Sequence, residues 1–221
     1  MDNIVLIGGG NQAHYTIDIV EKEGKYNIVG IVDSIHEVGS ERFGYKVIGR
    51  QENISDLIHT YLIKGAIISV GDNWSRYKIY KEILEEIPDF KFVNAIHPSV
   101  VIGNDVQIGC GVVAMAGCIF NPKSRIGDFT FFATGAQVEH DCIIEDFSSI
   151  SAGSVTGGYV RLGKYSAITL GVVVMDRIEI GENSVIGSGS LVTKNIPSNV
   201  LVYGSPCKII RKRGTGEKFL K

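Results

Sequence analysis

No apolar run in the 221 residues approaches the ~20 that a membrane-spanning helix needs, so no membrane partner is expected. Charge of one sign is not in excess either. The formal net charge is −2, too small to suggest nucleic acid or an anionic surface as a partner. Cysteine is sparse: Cys110, Cys118, Cys142 and Cys207 show no C-x-x-C or other metal-ligand spacing, and no metal is expected. Nothing requires an oxidising compartment. The start, "MDNIVLIGGG", has no basic segment ahead of its apolar run and no cleavage site, so a cytoplasmic protein is expected. The charge is unevenly spread, with 10 Lys+Arg against 14 Asp+Glu over residues 1–95 and 6 against 1 over 196–221. That basic tail (Lys208, Arg211, Lys212, Arg213, Lys218, Lys221) is read either as a contact for a phosphorylated ligand or as a solvated terminus.

What is present falls into two rhythms. Over residues 1–95, strands at 3–7, 26–33, 66–70 and 91–96 alternate with helices at 11–23, around 52–62 and at 74–87. Such alternation predicts a parallel sheet with helical crossovers, an α/β Rossmann-like domain. From residue 96 the period is six. Stepping by six from Ile96 to Val192, fifteen of seventeen positions are large and apolar, Ala114 and Thr156 being the exceptions. The residue two places before each step, from Val100 to Ser190, is always small or β-branched, and Cys118 and Cys142 fall among these packing positions. A period of eighteen lies on top: Gly117, Gly135, Gly153, Gly171 and Gly189 form one column, and Phe129, Phe147 and Tyr165 another. Three hexapeptides per coil predict an all-β triangular prism of short parallel strands over 96–195, with 196–221 as a tail. Ile126, Ile144 and Leu162 should point inward one above another, and the glycine column should mark a corner with positive φ.

"IGGGNQA" follows a strand and opens a helix. Gly8, Gly10 and Ala13 fit G-x-G-x-x-G/A, and Asp33 ends the second strand. Glycines let a backbone approach phosphate, and a helix N-terminus offers free N–H groups. Four strands give room for one nucleotide, so a nucleotide or nucleotide-sugar site is favoured over a nicotinamide dinucleotide or a structural remnant. Gly8, Gly10, Asn11, Gln12, Asp33, Ser34, Gly71, Asp72 and Asn73 all fall at carboxyl ends of strands, where ligands of open parallel sheets bind.

In the prism, "VEHDC" (138–142) sets Glu, His and Asp on a turn. A histidine on a surface turn is ordinarily just solvated. Here Asp141 adjoins His140, and Gly157 and Gly158 lie one coil above, leaving a groove for a long thin ligand.

The short α/β domain, the uninterrupted hexapeptides with "EHDC", "GGYVRLG" and "IGSGSLVTKNIP", and the following "YGSPCKII" together resemble the hexapeptide-repeat sugar acetyltransferases. These are N-acetyltransferases of nucleotide-linked 4-amino-4,6-dideoxy sugars and related sialic acid O-acetyltransferases. The resemblance spans essentially the whole chain. It implies that the prism is a left-handed parallel β-helix, that His140 is the general base supported by Asp141, and that acetyl-CoA lies along the prism near Ser149, Gly158, Leu170 and Ser188. It also implies a homotrimer with sites between subunits and a nucleotide-linked sugar in the N-terminal domain. Two positions depart from relatives: Gln12 stands where His is usual, and Ser149 where some have His. A backbone N–H at the glycine-rich coil edge is expected to hold the oxyanion. Rival readings are O-acetylation of a sialic acid or similar sugar, and a non-catalytic nucleotide-sugar binder. A trimeric metalloenzyme needs about three histidines per zinc, and the prism has only His97 and His140.

Overall fold

The computed structural model describes residues 1–219, so Lys221 of the basic tail lies outside the described residues. Strands β1 (Asp2–Ile7), β2 (Tyr26–Val32), β3 (Glu41–Arg42), β4 (Tyr45–Gly49) and β5 (Ile63–Ile68) form one sheet in the order β3-β4-β2-β1-β5. Its pairs are parallel except for the β3–β4 hairpin. Helices α1 (Asn11–Glu23), α2 (Ile54–Tyr61) and α3 (Asn73–Glu86) connect and cover it. Apolar runs in β1, β2 and β5 are buried because both faces are covered, α1 and the prism on one side and α2 and α3 on the other.

Two differences from the sequence reading concern this sheet. The parallel strand beside β2 is β4, which the sequence reading passed over. The expected strand at 91–96 divides instead: Phe92 makes a single bridge to Ala66, and Ala95–Ile96 leaves to start the prism. Six residues of chain are too few to serve two sheets, so each sheet takes one end.

The prism runs as seventeen two-residue strands, from β6 (Ala95–Ile96) to β22 (Leu191–Val192). Each pairs in parallel with the strand eighteen residues away, as in Ile126↔Ile144 and Ile144↔Leu162. These three side chains are buried at 3%, 1% and 0% exposure, stacked as the period requires. The strands make three faces of a left-handed β-helix. The first, begun by β6, carries the α/β domain and is extended by β23 (Val200–Gly204) and β24 (Cys207–Lys212). The second runs from β7 (Val101–Ile102) to β22, and the third from β8 (Gln107–Ile108) to β20 (Glu179–Ile180).

Positive φ is not confined to the glycine column. Gly117 to Gly189 have φ of 64–72°, but the other two edges also turn through the left-handed region, at Phe129, Phe147 and Tyr165 and at Lys123, Asp141, Tyr159 and Arg177. Neighbouring coils hold the costly conformation: Phe147 N–H donates to Asp128 O at 2.8 Å and Asp141 N–H to Pro122 O at 3.1 Å.

Helix α3 joins the two halves. Trp74 stacks on Tyr165 at 4.2 Å between ring centroids, and Tyr77 and Tyr80 pack on Phe147. Beside them Arg76 is 2% exposed and donates to the carbonyls of Val70, Gly71, Phe129, Phe147 and Ser148 and to Asn73 Oδ1. Burial pushes its guanidinium down to about 10, which still leaves it charged at neutral pH.

Candidate active site

The sequence places His140 and Asp141 at the centre of a turn on the edge between the second and third faces. Asp141 accepts the left-handed conformation, φ 57°, and this swings its carboxylate back beside the imidazole. His140 Nδ1 lies 2.9 Å from Asp141 Oδ2. With Nδ1–H donating there, the Nε2 lone pair is left outward, without a hydrogen-bond partner among the described residues. The ring also meets Tyr159 edge-on at 5.2 Å, and Arg177 covers Tyr159 at 4.5 Å. Against the imidazole, in the coil above, lies Gly158. A Cβ there would sit 2.7 Å from His140 Nε2 and 2.8 Å from Cε1. A residue without a Cβ at position 158 therefore lets the imidazole stand where it does. We expect Gly158→Ala to lower kcat by ~10²-fold through misplacement of the ring. Steady-state kinetics and thermal melting check this; unchanged kcat in a folded variant refutes the placement.

The glycines here do not offer an oxyanion donor. Gly158 N–H donates to Asp176 Oδ1 at 2.7 Å and Gly157 N–H to Val174 O at 2.7 Å, so both of these glycine N–H groups are committed within the prism. Nor does Cys142 offer a nucleophile. It is fully buried, its Sγ lies 3.2 Å from Gly157 O, and burial pushes its thiol up.

In the α/β domain, Gly8, Gly10, Asn11, Gln12, Asp33, Ser34 and Gly71 line one crevice of about 580 Å³, together with Ile35, Gln51, Ser69, Ser75 and Lys218. Gly8 is required by its φ of 103° and because a Cβ would lie 2.6 Å from Val70 Cγ2. Helix α1 has no side-chain cap at Gly10; Ala13 N–H turns back to Gly10 O at 2.9 Å, and the N–H groups of Asn11 and Gln12, at the crevice, have no partner among the described residues. Asp33 braces the rim rather than reaching out. Its carboxylate accepts from the N–H groups of Gly9, Ile35 and His36 at 2.5, 2.7 and 2.7 Å, and pairs with His36 Nδ1 at 2.9 Å. Burial pushes its pKa up, but these donors outweigh it and hold the carboxyl below its ordinary value.

Two residues read from the strand ends lie elsewhere. Asp72 caps α3 through Ser75 N–H, and Asn73, fully buried, donates to the carbonyls of Tyr165 and Ser166 on the prism. They fasten the domain and do not line the crevice. Ser149 is likewise displaced from its expected groove. It faces outward on the first face, where outward means beneath the α/β domain, and at 2% exposure its Oγ has no partner among the described residues. Leu170 (58% exposed) and Ser188 stand on the glycine edge between the first and second faces. His140 is on the edge opposite the first face, so one chain brings Gly158 to this histidine but not the crevice, Leu170 or Ser188. Ile35, Gln51, Ser69, Ser75 and Lys218 were missed, and only the basic tail carried any signal for one of them.

Comparison with known proteins agrees with this geometry. Residues 3–83 match the PglD N-terminal domain family. The chain superimposes on PerB from Caulobacter crescentus, solved in complex with CoA and GDP-perosamine, at TM-score 0.88 and 31% identity, covering 96% of this chain and 98% of that one. The acetyltransferase domain of PglB from Neisseria gonorrhoeae, solved with acetyl coenzyme A, gives 0.85 at 27% identity over 94% and 98%. A GDP-perosamine N-acetyltransferase of Escherichia coli O157:H7 is 24% identical over 90% of this chain and 82% of its own. The chain belongs to the hexapeptide-repeat sugar acetyltransferase family.

Proposed function

We propose that this protein transfers the acetyl group of acetyl-CoA to the 4-amino group of a nucleotide-linked 4-amino-4,6-dideoxy sugar. The observation that carries the reading is the His140–Asp141 pair, with Nδ1 tied and Nε2 free against Gly158. An ammonium must lose a proton before nitrogen can attack a thioester. That first proton goes to solvent. As the C–N bond forms and the C–S bond breaks, Nε2 takes the second proton from nitrogen, with Nδ1–H donating to Asp141, and passes it to the departing CoA thiolate. The rest of the rate comes from holding amine and thioester together.

Residues 1–95 select the acceptor, with the diphosphate lying at the α1 N-terminus among Gly8, Gly10, Asn11 and Gln12. Residues 96–195 carry the transfer, and 196–221 close the prism. Because crevice and base stand on opposite sides of one chain, the site is completed by a neighbour in a homotrimer. The outward row of the second face supports this: five of its six residues, Val101, Ile119, Val155, Val173 and Leu191, are apolar, with Gln137 the exception, whereas the third face turns out Gln107, Arg125, Arg161 and Glu179 beside one apolar residue, Ile143. With its second face covered by a neighbouring subunit, the chain would set Leu170 and Ser188 close to that subunit's His140, with acetyl-CoA along the seam. We place the enzyme in the cytoplasm; among the described residues no helix is long and apolar enough to cross a membrane.

The test is acetyl-CoA consumption, followed by thiol release, with GDP-, UDP- and dTDP-linked 4-amino-4,6-dideoxy sugars. One of these should be turned over, while calorimetry finds no NAD binding. Thiol release with a sialic acid and with none of the amino sugars would refute the reading. So would a mass in solution equal to one 24.0 kDa chain, which would leave the site incomplete.

A further inference from the structure

The C-terminal tail does not trail into solvent. After β24 it returns to the α/β domain, held by a small polar clip. Arg213, 8% exposed, donates to Asn183 O at 3.2 Å and to Glu217 O at 2.5 Å. Asn183 in turn donates to Gly214 O at 3.0 Å. The Glu217 carboxylate pairs with Arg211 at 2.5 Å and accepts from Gly214 N–H at 3.0 Å. The hydrogen bond from Arg211 and that from Gly214 N–H hold Glu217 down at about 2. A depressed carboxylate contributes its stability above its unfolded pKa and loses it only as pH falls through the folded one, so the clip stays ionised throughout neutral assay conditions. Beyond it, Phe219 N–H donates to Asp72 Oδ2 at 3.2 Å, fastening the chain to the cap of α3.

Between these two attachments sits Lys218. It lines the crevice alongside Ser34, Gln51, Ser75 and Ile79, and also the adjoining 460 Å³ hollow over α3. Among the described residues lining the crevice it is the single cation; Asp33, the other charged group, is negative. Its ammonium makes no ion pair or hydrogen bond among the described residues. The clip thus delivers one positive charge to a crevice whose other polar lining is glycines, hydroxyls, amides and the Asp33 carboxylate.

We propose that the C-terminal tail is part of the donor-independent half of the site: Lys218 closes over the crevice and pairs with the pyrophosphate of the sugar nucleotide, opposite the α1 N-terminus. This rests on the crevice being the sugar-nucleotide site. The doubly negative pyrophosphate would then be held from two sides, by backbone N–H groups and by a point charge. Arg213 and Glu217 act as positioning residues, since they touch the tail and not the ligand.

Calorimetry with GDP, UDP and dTDP, and with their nucleosides, tests this in the full chain. Lys218→Ala should weaken the best-bound diphosphate about tenfold, or 1.4 kcal/mol, a reasonable loss for one charge-assisted contact. Nucleoside affinity and the KM for acetyl-CoA should stay unchanged, and Lys218→Arg should restore most of the loss. Arg213→Ala should weaken the diphosphate similarly, with no further loss in the double variant, because both act through one contact. If wild type binds a diphosphate and Lys218→Ala binds it equally well, the tail's role is overturned while the crevice reading stands. If wild type binds no diphosphate, both fall.

Discussion

His140→Ala is expected to lower kcat for sugar acetylation by ~10²–10⁴-fold with little change in acetyl-CoA affinity, because it removes proton transfer and leaves the binding surfaces intact. The imidazole touches Gly158 and Tyr159 in the coil above, and its Nε2 has no structural partner among the described residues, so the variant should fold and melt as wild type. Asp141→Asn should cost less, since asparagine also tolerates the left-handed φ of 57° at this turn and loses only the charge that orients the ring. Steady-state rates for both variants decide the matter. Near-wild-type kcat in His140→Ala would reduce this histidine to a solvated turn residue.

Arg76→Met should be the most destabilising single change, lowering unfolding stability by ~3–5 kcal/mol. The guanidinium satisfies carbonyls from both halves of the chain, at 3.0 Å for Phe129 and 2.8 Å for Gly71. Methionine fills similar volume but leaves those oxygens buried without a donor, each costing ~1–3 kcal/mol. Arg76→Lys keeps the charge yet cannot reach so many acceptors with one nitrogen, so it should recover only part of the loss. Urea unfolding followed by Trp74 fluorescence reads the joint directly, because Trp74 stacks on Tyr165 beside it. A midpoint unchanged from wild type would show that the joint rests on aromatic packing alone.

The hexapeptide register was readable because it records packing. Ile126, Ile144 and Leu162 occupy equivalent places in successive coils, so one rule written into the chain predicts all three. The crevice glycines with Asn11, Gln12 and Ser34 were readable because carboxyl ends of parallel strands converge by topology. Asp72 and Asn73 obeyed the same rule and still went elsewhere, since an Asp before a helix is also a cap, and Asn73 is claimed by prism carbonyls 92 and 93 residues away. Ser149 shows the same limit: period six states that it faces outward, not what lies outside. Left-handed corners at Phe129 and Phe147 defy local preference and are held by bonds between coils. The column Phe129, Phe147, Tyr165 was visible as a pattern, but its purpose, a stacking rail for α3, exists only once the domain is docked. Lys218 was legible only as one charge in a basic tail.

Arg76 reaches the prism through main-chain oxygens of Phe129, Phe147 and Ser148, groups that any sequence presents at the same place in every coil. The arginine's socket is therefore written in the backbone, while the aromatic rail beside it is written in side chains. The arginine's part of the joint is indifferent to substitution on its receiving side so long as the coil pitch persists. Substitutions that keep the coil pitch should therefore leave the arginine's contacts with the prism in place.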